Sequence, residues 1–302
     1  PGAEDLVPIE LRLSGSPDIS ASTRADGDVV LGNIQFLGWE YTGTTFPTTE
    51  WKWESKPDIS GLASNNRDPY KPHTVSLTPK QYYNANGATK TGVIGFWPPV
   101  SIGTGATGTV LHADTKAKAI SDGLIIDSPG KWDIVFSSQH SGSKTSPISG
   151  EMALNHITSQ LVVKVKAKDG DYSSMTDVTV DNIKFSGISL PSKVSVFGAI
   201  KSSVSSEYVV YAKSKTGVAV PETATLIGNP VYMTPGTAIP KIKVKVSDRD
   251  EQECGIQGIS SLDKGKKYEI ILEIGASALV VKSVEIKPWD SYSLKNISVN
   301  QQ

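Results

Sequence analysis

The feature that most limits what this chain can fold into is an every-second-residue alternation of apolar and polar side chains, repeated along much of its 302 residues. A helix returns to the same face every three or four residues, whereas a strand with one side on a core and the other in water does so every two. Val7, Ile9, Leu11 and Leu13 alternate with Pro8, Glu10 and Arg12. Trp132, Ile134 and Phe136 follow a Ser-Pro-Gly turn, and Leu161, Val163 and Val165 alternate with Lys164 and Lys166. Further on, Val178 and Val180 lead into Ile183 and Phe185, and Ile242, Val244 and Val246 alternate with Lys241, Lys243 and Lys245. Tyr268, Ile270, Leu272 and Ile274 repeat the pattern, as do Val284 and Ile286. Turn clusters such as Asn86-Gly87, Pro129-Gly130, Asp169-Gly170 and Lys264-Gly265 separate these runs and suit positions of positive φ. The pattern predicts an all-β fold of sandwich type.

Helices have little room. Residues 115–122 suit one or two turns, while MALNHITSQ (152–160) leaves helix and strand open. The stretch from about 40 to 110 shows the least regular pattern and is expected to form long loops. The length suits two domains, and Lys168-Asp169-Gly170-Asp171 offers a polar turn between two β-rich regions. The expected division is 1–168, carrying the first strand and the long loops, and 169–302.

Composition removes several function classes. Thirty Lys and Arg against 31 Asp and Glu leave a net charge of -1, without the positive field that nucleic acid or an anionic membrane requires; no nucleic-acid partner is expected. Cys254 is the one cysteine, so no intrachain disulfide or thiolate cluster can form. His73, His112, His140 and His156 lie too far apart in sequence to present paired metal ligands. His156 is expected to be hydrogen-bonded inside the first domain. The acidic group Asp248, Asp250, Glu251 and Glu253 lacks the glycine-turned loop of a calcium site and reads as a solvated turn. There is no Gly-x-Ser-x-Gly, and the glycines from Gly103 to Gly108 have no surrounding βαβ unit. Neither a cofactor, a metal nor an enzymatic activity is expected.

Two segments invite a role beyond packing. Behind the Val7–Leu13 run, SGSPDISASTRADGD is polar and turn-rich, and its single basic residue, Arg24, precedes Ala25. That is a site open to a trypsin-like protease. After Trp289, Leu294, Ile297 and Val299 suit a short terminal strand. In the plain alternative, each segment is an ordinary edge strand.

Several stretches, in order, resemble the Bacteroidetes-type fimbrillins, subunits of surface fimbriae. They are VPIELRL (7–13) with STRA (22–25), GVIGFWPPV (92–100), KWDIVFSS (131–138), MALNHITSQLVVKV (152–165), LDKGKKYEIILEI (262–274) and VEIKPW (284–289). The resemblance implies two tandem β-sandwich domains of transthyretin-like Greek-key topology. It also implies export as a lipoprotein precursor and display in a fimbrium at the outer membrane, where the subunits serve cell adhesion. Assembly would proceed by donor-strand exchange: a trypsin-like protease cuts after Arg24, the strand bearing Val7, Ile9, Leu11 and Leu13 leaves, and a strand from another fimbrial subunit fills its slot. The donor would come from the tail carrying Leu294, Ile297 and Val299. Partners would be other subunits, the protease, and ligands on host or bacterial surfaces. Four inward apolar side chains at roughly 1.5–3 kcal/mol each make such a slot strongly adhesive. Two other readings differ in class: a carbohydrate-binding surface lipoprotein, stacking sugars on Trp39, Trp51, Trp53 or Trp97, and a glycoside hydrolase with facing carboxylates.

Overall fold

The protein is described by a computed structural model covering residues 6–14, 34–58, 73–105, 109–256, 258–275 and 279–288. Its elements are almost all strands. The first five are β1 (Glu10–Ser14), β2 (Gln35–Tyr41), β3 (Trp53–Asp58), β4 (His73–Thr78) and β5 (Lys90–Trp97). Three short strands follow, β6 (Val100–Ile102), β7 (Leu111–Ala113) and β8 (Leu124–Ile126), with the helix α1 (Lys116–Ser121) between the last two. Thr115 caps that helix, its hydroxyl accepting the Lys118 N–H at 3.1 Å, in agreement with the expected one or two turns. β9 (Val135–Ser137), β10 (His140–Gly142) and β11 (Glu151–His156) complete the first half.

Seven of these strands close into a ring. The order runs β5-β2-β3-β4-β1-β11-β9, and β9 pairs back onto β5 through Phe96↔Phe136 and Trp97↔Val135. Closure removes the free edges of a sheet. Phe36, Leu77, Val93, Trp97, Val135 and Leu154 belong to the core inside the ring. The opposite faces of β2, β5 and β9 are also dry: Leu37, Trp39, Ile94, Phe96 and Phe136 join a second core closed by β6–β8 and α1.

That double burial explains a difference from the sequence expectation. Within 40–110, where long loops were expected, the chain forms the end of β2 and all of β3, β4, β5 and β6. Strand β5, KTGVIGFW, is buried at every position after Lys90. A strand with apolar neighbours on both sides loses its alternation. Its glycines serve close approach: a Cβ on Gly95 would fall 2.5 Å from the Phe36 ring, and one on Gly38 of β2 2.0 Å from the Trp53 indole.

In the second half, β12 (Ser159–Ala167) is followed by the long hairpin β13 (Thr179–Val194) and β14 (Ile200–Ala212). The short β15 (Val218–Ala219), β16 (Thr225–Leu226) and β17 (Val231–Met233) lead to β18 (Lys241–Val246), β19 (Gln252–Gly255), β20 (Lys266–Ile274) and β21 (Leu279–Pro288). β12 lies parallel to β20, with β21 beyond it and β16 and β17 on the other side. This layer shares an apolar core with β13 and β18, filled by Leu161, Val163, Phe185, Ile242, Tyr268 and Ile270. Lysines of β12 turn outward to carboxylates of β20, with Lys164 2.9 Å from Glu269 and Lys166 3.0 Å from Glu273.

The strand at 159–167, expected to close the first domain, therefore pairs within the second half. The change of core falls between Ile157, in the core beside the ring, and Leu161. Sequence turns mark where a chain reverses, not which sheet its strands join, and so 168 marks a turn. The halves are also stitched together by β13, which pairs with β18 near its start and with β8 at Lys193↔Ile125 and Val194↔Leu124.

Candidate assembly site

Strand β1 is an interior strand of the ring. Leu11↔Val75 and Leu13↔His73 pair it antiparallel to β4, while Arg12↔Glu151, Leu13↔Met152 and Ser14↔Ala153 pair it parallel to β11. Ahead of it the chain is already extended: the Ile9 N–H donates to the Gln81 carbonyl at 2.8 Å, and the Tyr83 N–H donates to the Val7 carbonyl at 3.0 Å. Val7 and Ile9 thus face residues 81–83, so the nitrogen of Pro8 points to the other side, where pairing with β11 starts only at Arg12. The missing donor of Pro8 costs no ladder bond there.

The alternation read from the sequence has a physical counterpart. Ile9, Leu11 and Leu13 are 1%, 0% and 2% exposed in the ring's core, with Val7 half-buried against it, while Glu10 and Arg12 face water. Three buried aliphatic side chains stabilise this seating by about 5–9 kcal/mol. The exposed Arg12–Glu151 pair at 3.9 Å adds little. Beside the strand, the buried Tyr83 hydroxyl accepts the Ile148 N–H at 2.7 Å, and burial raises its pKa above the usual tyrosine value. Neighbouring β11 is anchored at its end by His156, whose Nδ1 donates to Asp133 at 2.8 Å, both side chains being buried. Asp133→Ala is expected to cost about 1–3 kcal/mol, measured by denaturant unfolding, with His156 then lacking that acceptor.

Arg24, Ala25, Leu294, Ile297 and Val299 lie outside the described residues. The four tryptophans offered as sugar platforms are not exposed. Trp39, Trp51 and Trp97 are 1%, 2% and 6% accessible, and Trp53 is partly buried against the ring's core. Trp39 stacks within an aromatic cluster, 5.2 Å from Phe46 and 5.8 Å from Phe197, and donates its indole N–H to the Thr49 carbonyl at 2.8 Å. The acidic group is drawn into ion pairs, Glu251 with Lys184 at 3.1 Å and Glu253 with Lys241 at 2.7 Å. Among the described residues no three His, Cys, Asp or Glu side chains converge as a metal site. His140 sits beside the Ser138 hydroxyl at 2.9 Å, its pKa lowered by burial.

Sequence reasoning missed the long, exposed strand β14 entirely. β14 carries serines on both faces, so no apolar period marks it; its signal is β-branched and aromatic content at Val204, Tyr208, Val209 and Val210.

These features define an all-β protein of two strand-built halves joined through the long strand β13. A family model described as fimbrillin-like matches residues 23–289, and the chain belongs to that family. The fold is similar to that of a candidate cell adhesion protein from Bacteroides uniformis, with a TM-score of 0.55 at 11% identity over 96% of this chain and all of that one. A second candidate cell adhesion protein, from Bacteroides ovatus, gives a TM-score of 0.51 at 15% identity over 95% of this chain and 99% of the other. A comparison with curated protein sequences finds no match.

Proposed function

We propose that this chain is a structural and adhesive subunit of a cell-surface fimbria, assembled by removal of β1 and insertion of a strand from another subunit. Family membership supports the fimbrial role, and the cell adhesion description of its structural relatives suits it. The observation that carries the assembly step is the seating of β1. With Ile9 just ahead of it, it has main-chain partners on both sides and three apolar side chains in the ring's core, yet Glu10 and Arg12 on its outer face are open to water. Departure of such a strand leaves two unpaired edges, β4 and β11, over an apolar floor, which is the surface that strand addition uses.

A trypsin-like protease acting after Arg24 would release the strand, and the tail bearing Leu294, Ile297 and Val299 would supply the donor. Within this reading the two halves correspond to β-sandwich domains of transthyretin-like topology, and the subunit travels as a lipoprotein precursor to the outer membrane. Its role is non-catalytic. The decisive experiment is limited trypsin digestion followed by size-exclusion chromatography. Cutting first after Arg24 and then forming oligomers, which Arg24→Ala does not form, is the expected result; a cut chain that stays monomeric overturns the mechanism.

A further inference from the structure

Strand β14 is long and little covered. Residues 201–207 are all exposed, and among the described residues the strand pairs with β13 alone. Val204 and Val209 are 44% and 52% accessible. An open edge of this kind is a template for another strand unless it is guarded.

The phase of that edge can be read from its neighbour. The Thr234 N–H donates to the Ser189 carbonyl at 2.9 Å, so the main chain of Ser189 points away from β14. Its opposite residue, Ser205, then points away from β13, because facing residues in an antiparallel pair share one phase. Pro191, opposite Ser203, has no N–H to give and fits the same phase. The strand therefore offers the main-chain groups of Ser203, Ser205 and Glu207 to the open side. Over this stretch the sequence is a palindrome, Lys201-Ser202-Ser203-Val204-Ser205-Ser206-Glu207, except that its ends carry opposite charges.

We propose that a second copy of this chain docks here, β14 against β14, antiparallel about a two-fold axis through Val204. Ser203 then faces Ser205 of the other copy in the phase that exchanges two N–H···O bonds, and each of the two symmetric pairs does so. Val204 meets its own counterpart in the closer, non-hydrogen-bonded position, covering an exposed valine. Lys201 faces Glu207 twice, as a closed two-fold interface requires. Sliding the register by two residues keeps the phase but separates both charge pairs, so charge selects this register. Glu207, 44% accessible and 3.4 Å from Lys184 and 3.5 Å from Lys243, keeps an open side. Lys201 now donates to the Ser121 carbonyl at 2.5 Å from an exposed position. The contact lies apart from the β1 slot and needs no cleavage.

The test uses the uncut Arg24→Ala chain in sedimentation velocity over a range of concentrations, which separates it from strand exchange. A monomer–dimer equilibrium is expected. Lys201→Glu and Glu207→Lys should each weaken it about ten- to a hundredfold by placing like charges opposite. An equimolar mixture of the two variants should dimerise again, as should the double reversal. Neither restores the ion pairs of Glu207 with Lys184 and Lys243, so simple damage to the strand would not be rescued. A chain that stays monomeric at its highest soluble concentration, or dimers indifferent to both single reversals, overturns the proposal, and so does a mixture that fails to associate while thermal melts show both variants folded.

Discussion

Cut after Arg24, the protein is expected to take up an added fluorescent peptide VPIELRLS, matching residues 7–14, and the uncut protein is expected to refuse it. The connection behind β1 holds the strand at high effective concentration against any free competitor; cleavage removes that advantage. Uptake should depend on the inward side chains. A peptide with aspartate at the positions of Leu11 and Leu13, which are 0% and 2% exposed in the native strand, forfeits at least the transfer energy of two leucines, about 3–6 kcal/mol. That corresponds to roughly 10²- to 10⁴-fold weaker binding. Replacing Glu10 and Arg12 instead should change little, since both face water. Fluorescence anisotropy reads all of these. Equal uptake of the native and aspartate peptides would show that the slot does not recognise an alternating strand.

The second large effect is expected within the intact chain. Leu11 sits in the ring's core opposite Val75 and is wholly buried. Leu11→Ala should lower unfolding free energy by about 2–5 kcal/mol, combining lost transfer energy with the cavity left behind. Glu10→Ala, one residue away on the wet face, should stay within about 0.5 kcal/mol. The contrast, measured by urea unfolding, tests the facing of β1 directly. If the strand were laid on the outside of the ring, the two substitutions would cost similar amounts. A loosened plug should also leave faster, so Leu11→Ala is expected to accelerate peptide uptake by the cut chain.

Where one face of a strand is wet, the residues announce it. The alternation at 7–13, 161–165, 242–246 and 268–274 returns as β1, β12, β18 and β20, each with its apolar set on a core. The same signal fails for β5, because β2, β5 and β9 stand between two cores and both their faces are apolar. It fails for β14 in the opposite sense, because residues 201–207 are buried on neither face and no period-two contrast is imposed on them. The tryptophans show a related gap: aromatic side chains among Pro, Thr and Asn look exposed along the chain, yet Trp39 and Trp51 are buried by partners as distant as Phe197.

By itself, the chain of residues determined the all-β class and the inward set Val7, Ile9, Leu11 and Leu13, since these depend on neighbours within a few positions. Only the tertiary structure decided that β1 lies between β4 and β11 in a closed ring, that β12 joins the second half, and that β14 has β13 as its one strand partner among the described residues. Those outcomes turn on which distant strands pair, a choice made by non-local packing and hydrogen bonding that period-two patterning leaves undetermined.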